Sequence, residues 1–426
     1  MVEELQLNLK NPAILASLVV LVLVYSNIIK IRQQKPFTSL LQVQNLNYVC
    51  GTIASSPSKN TKGTFYSSQI NLDFISGNIT KEKEKSFFSA SGTIQIQIPS
   101  SLVESFSPGK LFTASDKGFL VESGANVLFS GKWSQEKSSF IVNKIDSCEY
   151  KKNVFGKIDY IRALCRLVFK RLMFSWGSAG ALILSLLSGS RDFLSESVRV
   201  NFKNAGLSHI LALSGMHLSF FSGLTGSTGR KLFGAKHIYL IQLASILIFV
   251  WFAGLSPSLF RALLCSAVLL TSTKISYKKQ NMLAIISWAF LIHIVVFPQD
   301  LLLAAFMLSY GALAGILTIG SLVKKTLSLI LPTSISNSLS SSIGAQTMTT
   351  PVSILLFGEV MPIGIIASMI VSPLITFFLT ISLLFIIISL CIPFLSPAFG
   401  YILQAVYKII MFFVNSFSQA APVVIN

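Results

Sequence analysis

The chain has 426 residues, is 52% hydrophobic and only 12% charged, and carries a formal net charge of +18. Soluble globular proteins are about a quarter charged, so this composition excludes an ordinary soluble domain and points to an α-helical, polytopic membrane protein. The charge is unevenly placed: residues 36–150 hold ten Lys against nine acids, whereas residues 151–426 hold twenty Lys or Arg against five acids. That bias reads either as the positive-inside excess of any multispanning protein or as a path for an anionic substrate along the helices.

Residues 1–35 form an N-terminal membrane anchor. The run "PAILASLVVLVLVYSNII", Pro12 to Ile29, is long enough to span a bilayer. No small-x-small cleavage site follows it, so it is expected to stay as a helix. Residues 36–150 are polar, Ser-rich and strand-like. "GTIQIQIPS" at Gly92 to Ser100 alternates with period two, and parts of "YVCGTIASS", "YSSQINLDF", "NVLFSGKW" and "SSFIVNKI" do the same. Short strands separated by Gly, Pro and Asn predict an inserted all-β soluble domain, with an OB-like barrel as the expected topology. "KEKEK" at Lys81 to Lys85 reads as a solvated loop tip. Cys50 and Cys148 bracket this domain. A disulfide between them is expected if it lies outside the cytoplasm, with two unpaired thiols as the alternative. Cys165, Cys265 and Cys391 sit in apolar segments and read as ordinary buried residues.

Residues 151–176 form a basic amphipathic helix. Arg162, Arg166 and Lys170 step by four and share a face, with Ile158, Ile161, Leu164, Val168 and Leu172 largely opposite. The pattern suits a helix lying in the membrane interface. It serves either as a charged collar orienting the membrane domain or as a row of cations passing phosphates inward.

Residues 177–426 are the membrane domain. "GSAGALILSLLSG" is too short for a comfortable span and reads as re-entrant or partly buried. Apolar runs follow near 207–226, 237–254, 258–273, 282–297, 301–322, 339–357, 362–390 and 398–422. The 362–390 run contains Pro373 and is expected to form two half-helices. Arg230, Lys231 and Lys236 fill one loop, Lys274, Lys278 and Lys279 a second, and Lys324 and Lys325 a third. The intervening turns "GLSPS", "FPQD" and "FGEVMP" lack Lys and Arg. Positive-inside counting makes the Lys-rich loops cytoplasmic and leaves the β domain on the outer side. Lys30, Arg32 and Lys35 after the anchor argue the other way; the alternation of three loops outweighs that single flank.

Within "GLSHILALSGMH", Gly206 to His217, the polar side chains Ser208, His209, Ser214 and His217 interrupt an apolar run. On an ideal helix the two histidines stand about 12 Å apart along the axis, too far to share a metal ion unless the helix breaks at Ser214-Gly215. No CxxC or Cys/His cluster with zinc spacing is present. A Ser-His hydrolase site lacks both an acidic partner nearby and a G-x-S-x-G elbow. Two readings remain: ionisable groups lining a substrate path, and histidines hydrogen-bonded between helices.

These residues also carry a resemblance. "LLSGSRDFLSESVRVNFKNAGLSHILALSGMHLSFFSG", Leu186 to Gly223, resembles the signature of the ComEC-type competence proteins. "GLSPSLFRALL", "PQDLLLAAFMLSYGALAGIL" and "GAQTMTTPVSILLFGEVMPIGIIASMIVSPL" resemble three further blocks of that family, in its order. The resemblance implies a channel that carries single-stranded DNA across the cytoplasmic (inner) membrane during natural transformation. Its implied path residues are Gly206, His209, Ser214, Gly215 and His217, then Ser256, Pro257 and Arg261, then Gln346 and Pro351. Arg261 is the intramembrane charge best suited to a phosphate, with snorkelling to the interface as the alternative. Departures fall at Ser190, Met307 and Ser368, where the family usually has an acid, Gln and Asn. The chain has no H-x-H-x-D-H metal motif and no Walker A motif. No enzymatic activity, metal or cofactor is therefore expected of this polypeptide. Partners implied are single-stranded DNA, the lipid bilayer, a DNA receptor, a cytoplasmic ATPase or helicase and a separate nuclease. On the β domain, Phe65, Tyr66, Phe74 and Trp133 are candidates for base stacking, or alternatively barrel core; Arg162, Arg166 and Lys170 are candidates for phosphate contact. The rival classes are an intramembrane hydrolase or lipid-processing enzyme using Ser214 or His217, and a small-solute or lipid transporter.

Overall fold

The computed structural model describes residues 11–26, 38, 43–60, 63–77, 87–103, 119–213, 215, 217–219, 221–223, 225–226, 238–275, 281–421 and 423–424. Ser214, the "KEKEK" tip and the loop cations Lys30, Arg32, Lys35, Arg230, Lys231, Lys236, Lys278 and Lys279 lie outside the described residues.

Helix α1 (Pro12–Tyr25) starts where Asn11 accepts from the Ala13 amide at 3.1 Å and Pro12 occupies the first turn, a pairing that satisfies a free donor and removes another. The strands β1 (Leu46–Ile53), β2 (Ser58–Lys59), β3 (Phe65–Gly77), β4 (Phe88–Ser89), β5 (Thr93–Pro99), β6 (Asn126–Ser134) and β7 (Ser139–Glu149) then build one sheet. β1 pairs with both β3 and β6; β3 continues to β5, β5 to β7 and β7 back to β6. The path therefore closes on itself as a barrel. All long pairings are antiparallel except β5 with β7. Period-two alternation sends Val49, Ile53, Ile70, Ile96, Ile98, Val127, Phe129, Phe140 and Val142 into a fully enclosed core.

Closure needs bent strands, and two glycines supply the bends. The register shifts between Cys50 and Gly51 and between Ser130 and Gly131. A Cβ at Gly51 would overlap the Asn71 carbonyl, and one at Gly131 the Ile141 carbonyl. Both positions are therefore open only to a residue without a side chain.

The expected disulfide does not form: Cys50 and Cys148 are free thiols. β6 lies between their strands, with Cys50 opposite Leu128 and Cys148 opposite Val127. Two strand spacings come to roughly 10 Å, beyond the Cα separation a disulfide bridges. The Cys148 thiol instead donates to the Leu120 carbonyl at 3.6 Å. Burial, followed by the neighbouring Glu149 charge, pushes its pKa up to about 12.

Helices make up most of the remainder: α2 (Val154–Ser175), α3 (Gly177–Ser188), α4 (Glu196–Asn204), α5 (Ser208–Leu211), α6 (Ile238–Ala253), α7 (Pro257–Ile275), α8 (Met282–Val296), α9 (Ala304–Leu327, with a π-turn at Ile316–Gly320), α10 (Thr333–Phe357), α11 (Gly364–Cys391) and α12 (Ser396–Phe417). One short antiparallel pair, Glu359–Val360 against Val423–Val424, stands apart from the barrel. Residues 217–219, 221–223 and 225–226 are helical too. Caps mark several starts: Asn153 accepts from Gly156, Ser195 from Val198 and Asn281 from Leu283. Among the described residues, α9, α11 and the segment Pro393–Phe417 are long and apolar enough to cross a membrane.

α3 is the short "GSAGALILSLLS" run. Ala179 through Ser188 are all buried, because a helix apolar on every side must be surrounded. It packs against α2 and α12, inside a core shared with α11. α11 is one continuous helix, not two halves. Pro373 removes one amide donor, yet Val371, Ile375 and Phe378 on either side of it are fully buried, and that packing holds the helix through the proline. α1 lies along α8, where Ser17 and Ser287 hydroxyls meet at 3.4 Å.

Gly51→Val is expected to destabilise the barrel by about 1–3 kcal/mol or more, the scale of overpacking a filled site. Thermal melting of the full-length protein in detergent, followed by the loss of β-sheet circular dichroism, measures it.

Candidate functional site

Two groups of polar residues were expected to handle substrate: the basic helix and the motif run. The structure treats them differently.

The basic helix is a seam. Glu122, on the loop entering β6, puts Oε1 3.3 Å from Arg166 Nε and 3.3 Å from Lys170 Nζ. Lys170 also meets Asp192 Oδ2 at 3.1 Å, and Asp192 Oδ1 accepts from the Lys59 amide of β2 at 3.0 Å. Arg166 Nη1 donates to the Phe252 and Ala253 carbonyls at 2.9 and 3.3 Å. These are the last carbonyls of α6, where the helix leaves acceptors unsatisfied and its dipole favours a cation. Arg162 Nη1 donates to Ser123 Oγ at 2.6 Å.

Arg166 and Lys170 are only 3% and 6% exposed. This corrects the expectation of an open row of phosphate contacts: a cation in so dry a site is held only by fixed counter-charges, and here Glu122, Asp192 and the end of α6 supply them. The exposed residues of α2 are instead mostly apolar, including Val154, Phe155, Ile158 and Ile161, with Lys157 the exposed cation among them. Arg162 stays half-buried. Burial alone would raise the Glu122 carboxyl; Lys170 and Arg166, helped by a Ser56 hydrogen bond and Arg162, outweigh it and hold its pKa down at about 2. Burial likewise works against the Lys170 ammonium, and Asp192 and Glu122 reverse it, holding its pKa above the usual lysine value.

The barrel aromatics divide. Tyr66 is 2% exposed and belongs to the barrel core, a correction that follows from the inward parity of its place on β3. Trp133 is half-buried and packs against the same core. Phe65 is half-buried, with Lys137 Nζ 5.4 Å from its ring centre. Phe74 stands half exposed on the outer face.

In the motif run the helix breaks earlier than expected. α5 ends at Leu211 and Ala212 is extended, with φ −83° and ψ 139°. Gly206 precedes α5 at φ +70°, a left-handed turn that favours glycine; a Cβ there would stand 2.7 Å from Gly364 Cα. His209 is exposed and His217 is completely buried. Their side chains thus sit in different environments. Gly215 packs against Arg261, where a Cβ would lie 3.1 Å from Nη2. Arg261 is 8% exposed and donates through Nη1 to the Ser309 carbonyl of α9 at 2.8 Å. Gln346 donates to the Met361 carbonyl at 2.9 Å. Ser214 is outside the described residues.

The four motif blocks therefore meet in space although long stretches of chain separate them. The first touches the fourth at Gly206–Gly364 and the second at Gly215–Arg261. The second reaches the third through Arg261–Ser309 and through Ser258, whose hydroxyl donates to the Ala305 carbonyl at 3.3 Å. The third reaches the fourth at Gly315–Gly344, where either Cβ would collide with the opposite backbone. Sequence reasoning missed Glu122, Asp192 and Ser309. Glu122 and Asp192 stand among few acids on a basic chain, a signal that could have marked them as counter-ions; Ser309 acts through its backbone and has no such signal.

A closed barrel sealed by ion pairs onto a bundle with such long apolar helices fits a membrane protein. The competence protein family matches residues 186–425, more than half of the chain, and the chain belongs to that family. It is also 24% identical over 213 residues to ComE operon protein 3 of Bacillus subtilis (strain 168). That alignment covers 50% of this chain and 25% of the relative, so the match spans about a quarter of the relative's length. No solved structure matches the chain.

Glu122→Gln removes the charge facing two buried cations and is expected to cost about 3–5 kcal/mol. The native carboxylate contributes fully above its unfolded pKa near 4.3, because its folded pKa is lower. The contribution falls away as pH drops from there toward 2. Melting temperature against pH in detergent should show this acid limb in the wild type and lose it in Glu122→Gln.

Proposed function

We propose that this protein carries single-stranded DNA across the cytoplasmic membrane during natural transformation, as a multi-pass channel that performs no chemistry itself. The observation that carries the reading is the pairwise contact of the four competence-family blocks among apolar helices, with Gly206, Gly215, Arg261 and Gly364 at the contacts. Polar and charged groups are costly in such surroundings, and function is the usual reason they persist there.

The barrel fits the front end of that task. Its closed order β1-β3-β5-β7-β6, with β5 and β7 parallel, supports the reading of an OB-type barrel, a fold suited to single strands. Phe65 beside Lys137, together with exposed Phe74, offers stacking and phosphate contact on β3. The near-neutral charge of residues 36–150 makes this contact weak and transient. The barrel side also carries the "GLSPS" turn, where a Cβ at Gly254 would stand 2.8 Å from Arg162 Nη2. That turn lacks Lys and Arg, so positive-inside counting puts it and the barrel on the outer face. The exposed apolar residues at the start of α2 rest in the lipid interface.

His217 and Arg261 are packed in the conformation described, so passage requires the seam between the 217–226 segment, α7 and α9 to part. The strand's phosphates then replace the Ser309 carbonyl as the partner of Arg261. The energy, the delivery of DNA and the removal of the other strand come from partners: a DNA receptor, a cytoplasmic ATPase or helicase and a separate nuclease.

In a strain carrying His217→Ala or Arg261→Ala, uptake of labelled transforming DNA is expected to fall at least tenfold while membrane levels of the protein stay unchanged. Uptake at the wild-type level in both variants would overturn the channel reading. A chemically altered small substrate in their place would favour an intramembrane enzyme.

A further inference from the structure

A second buried polar cluster lies beside Arg261; Asp300, Phe306 and Tyr310 belong to the third motif block and Phe260 to the second, but its centre, His293, lies outside all four. His293 on α8 is fully enclosed. Its Nε2 lies 3.0 Å from Asp300 Oδ2, on the turn after α8, and its Nδ1 lies 3.2 Å from the Tyr310 hydroxyl of α9. The rings of Phe260 and Phe306 stand edge-on to the imidazole, each at 4.8 Å between centroids. Asp300 is the member with an outlet: its side chain is 23% exposed, against 0% for His293. The titratable and charged groups facing the imidazole are Asp300 from the turn, Tyr310 from α9, and Arg261 and Cys265 from α7. The described part of α1 brings only the Ser17 hydroxyl to α8, at Ser287.

We propose that His293 is a proton-binding site whose occupancy sets the hold of Arg261 on α9. At rest the imidazole is neutral: Nε2–H donates to the Asp300 carboxylate and Nδ1 accepts from Tyr310. The fixed charges are then Asp300 and Arg261, which cancel. A proton taken from water adds to the Nδ1 lone pair, and no heavy-atom bond changes. Both ring nitrogens now donate, so the Tyr310 oxygen must become an acceptor and its own hydrogen must turn away. The cluster gains one positive charge in apolar surroundings, where an unbalanced charge is costly. Arg261 is the mobile cation able to relieve it. Its hold on α9 is the single bond to Ser309, the residue next to Tyr310, and its Nε has no hydrogen-bond partner among the described residues. Proton uptake therefore turns the Tyr310 hydroxyl and releases Arg261 from Ser309 at one point of α9, and α7 loosens from α9. The inference concerns proton binding and stands whatever solute the protein carries.

The test uses the full-length protein in detergent with Cys50, Cys148, Cys165 and Cys391 replaced by Ser. Cys265, one turn beyond Arg261 and packed against the Tyr310 cluster, is then the sole thiol. Its alkylation rate is followed from pH 5 to pH 8 and divided, at each pH, by the rate in the same protein carrying His293→Gln. This removes the reagent's own pH dependence. The ratio is expected to lie near one at pH 8 and to rise at least fivefold at pH 5.5, along a one-proton curve. Asp300→Asn takes away the carboxylate that favours the imidazolium. It should move the midpoint down by at least one pH unit, a tenfold loss of proton affinity. A ratio that stays flat with pH overturns the proposal, as does an Asp300→Asn midpoint that does not move. Should His293→Gln fail to accumulate, the wild-type and Asp300→Asn rates are compared directly, and superimposable pH curves overturn it equally.

Discussion

Burying a cation costs several kcal/mol unless fixed counter-charges meet it, and that cost shapes this protein at each place where polar groups enter its interior. At the seam, Arg166 and Lys170 are shut from water only because Glu122 reaches across from the barrel, Asp192 from the loop after α3, and α6 offers its terminal carbonyls. The barrel is thereby tied to the helices by charge, alongside an apolar contact in which Val103, Leu120 and Val121 face Ala163 and Leu167 of α2. The orientation of the barrel depends on the position of α6 and of the loop after α3, because the same cations serve all three. In the bundle, Arg261 is treated more sparingly, with one backbone oxygen and a glycine that lets it approach.

The sequence was most legible where a period repeats. The alternation in "GTIQIQIPS" became β5, and the long apolar runs became α6 through α12; the ends of α6, α7, α8 and α11 fall within two residues of those expected, while α9 ends five residues later, α10 starts six earlier and α12 stops five earlier. It was least legible where a residue's meaning depends on distant partners. Arg162, Arg166 and Lys170 share a helix face whether that face meets phosphates or carboxylates, and nothing local separates the two. The counter-ions lie on the entry to β6 and after α3, far from the helix in sequence. Cys50 and Cys148 misled for a related reason. Their symmetric placement at the ends of the barrel suggested a staple, but the strand order interposes β6 between them. Pro373 misled because a proline's effect on a helix is set by the packing around it.

The functional blocks show a middle case. Their residues could be picked out by type and spacing, yet their meeting could not. Gly206 and Gly364 are far apart in the chain and touch only because one takes a left-handed turn and the other begins α11. His293 drew no attention, since a single imidazole in "SWAFLIHIVVF" has an ordinary structural meaning. Asp300, seven positions later and just past the helix end, changes that, and only the fold of the "FPQD" turn brings it back onto the ring.

The contact between α9 and α10 bears on how such a bundle deforms. Gly315, Gly320 and Gly344 bring the two backbones into direct contact beside the π-turn of α9, with the Met348 side chain packed alongside Gly315. Backbones that touch this directly leave little to re-pack, so sliding or prying them apart strips several close contacts together. The hairpin is accordingly the stiffer joint, whereas α7 meets α9 through two side-chain hydrogen bonds, from Arg261 to the Ser309 carbonyl and from Ser258 to the Ala305 carbonyl.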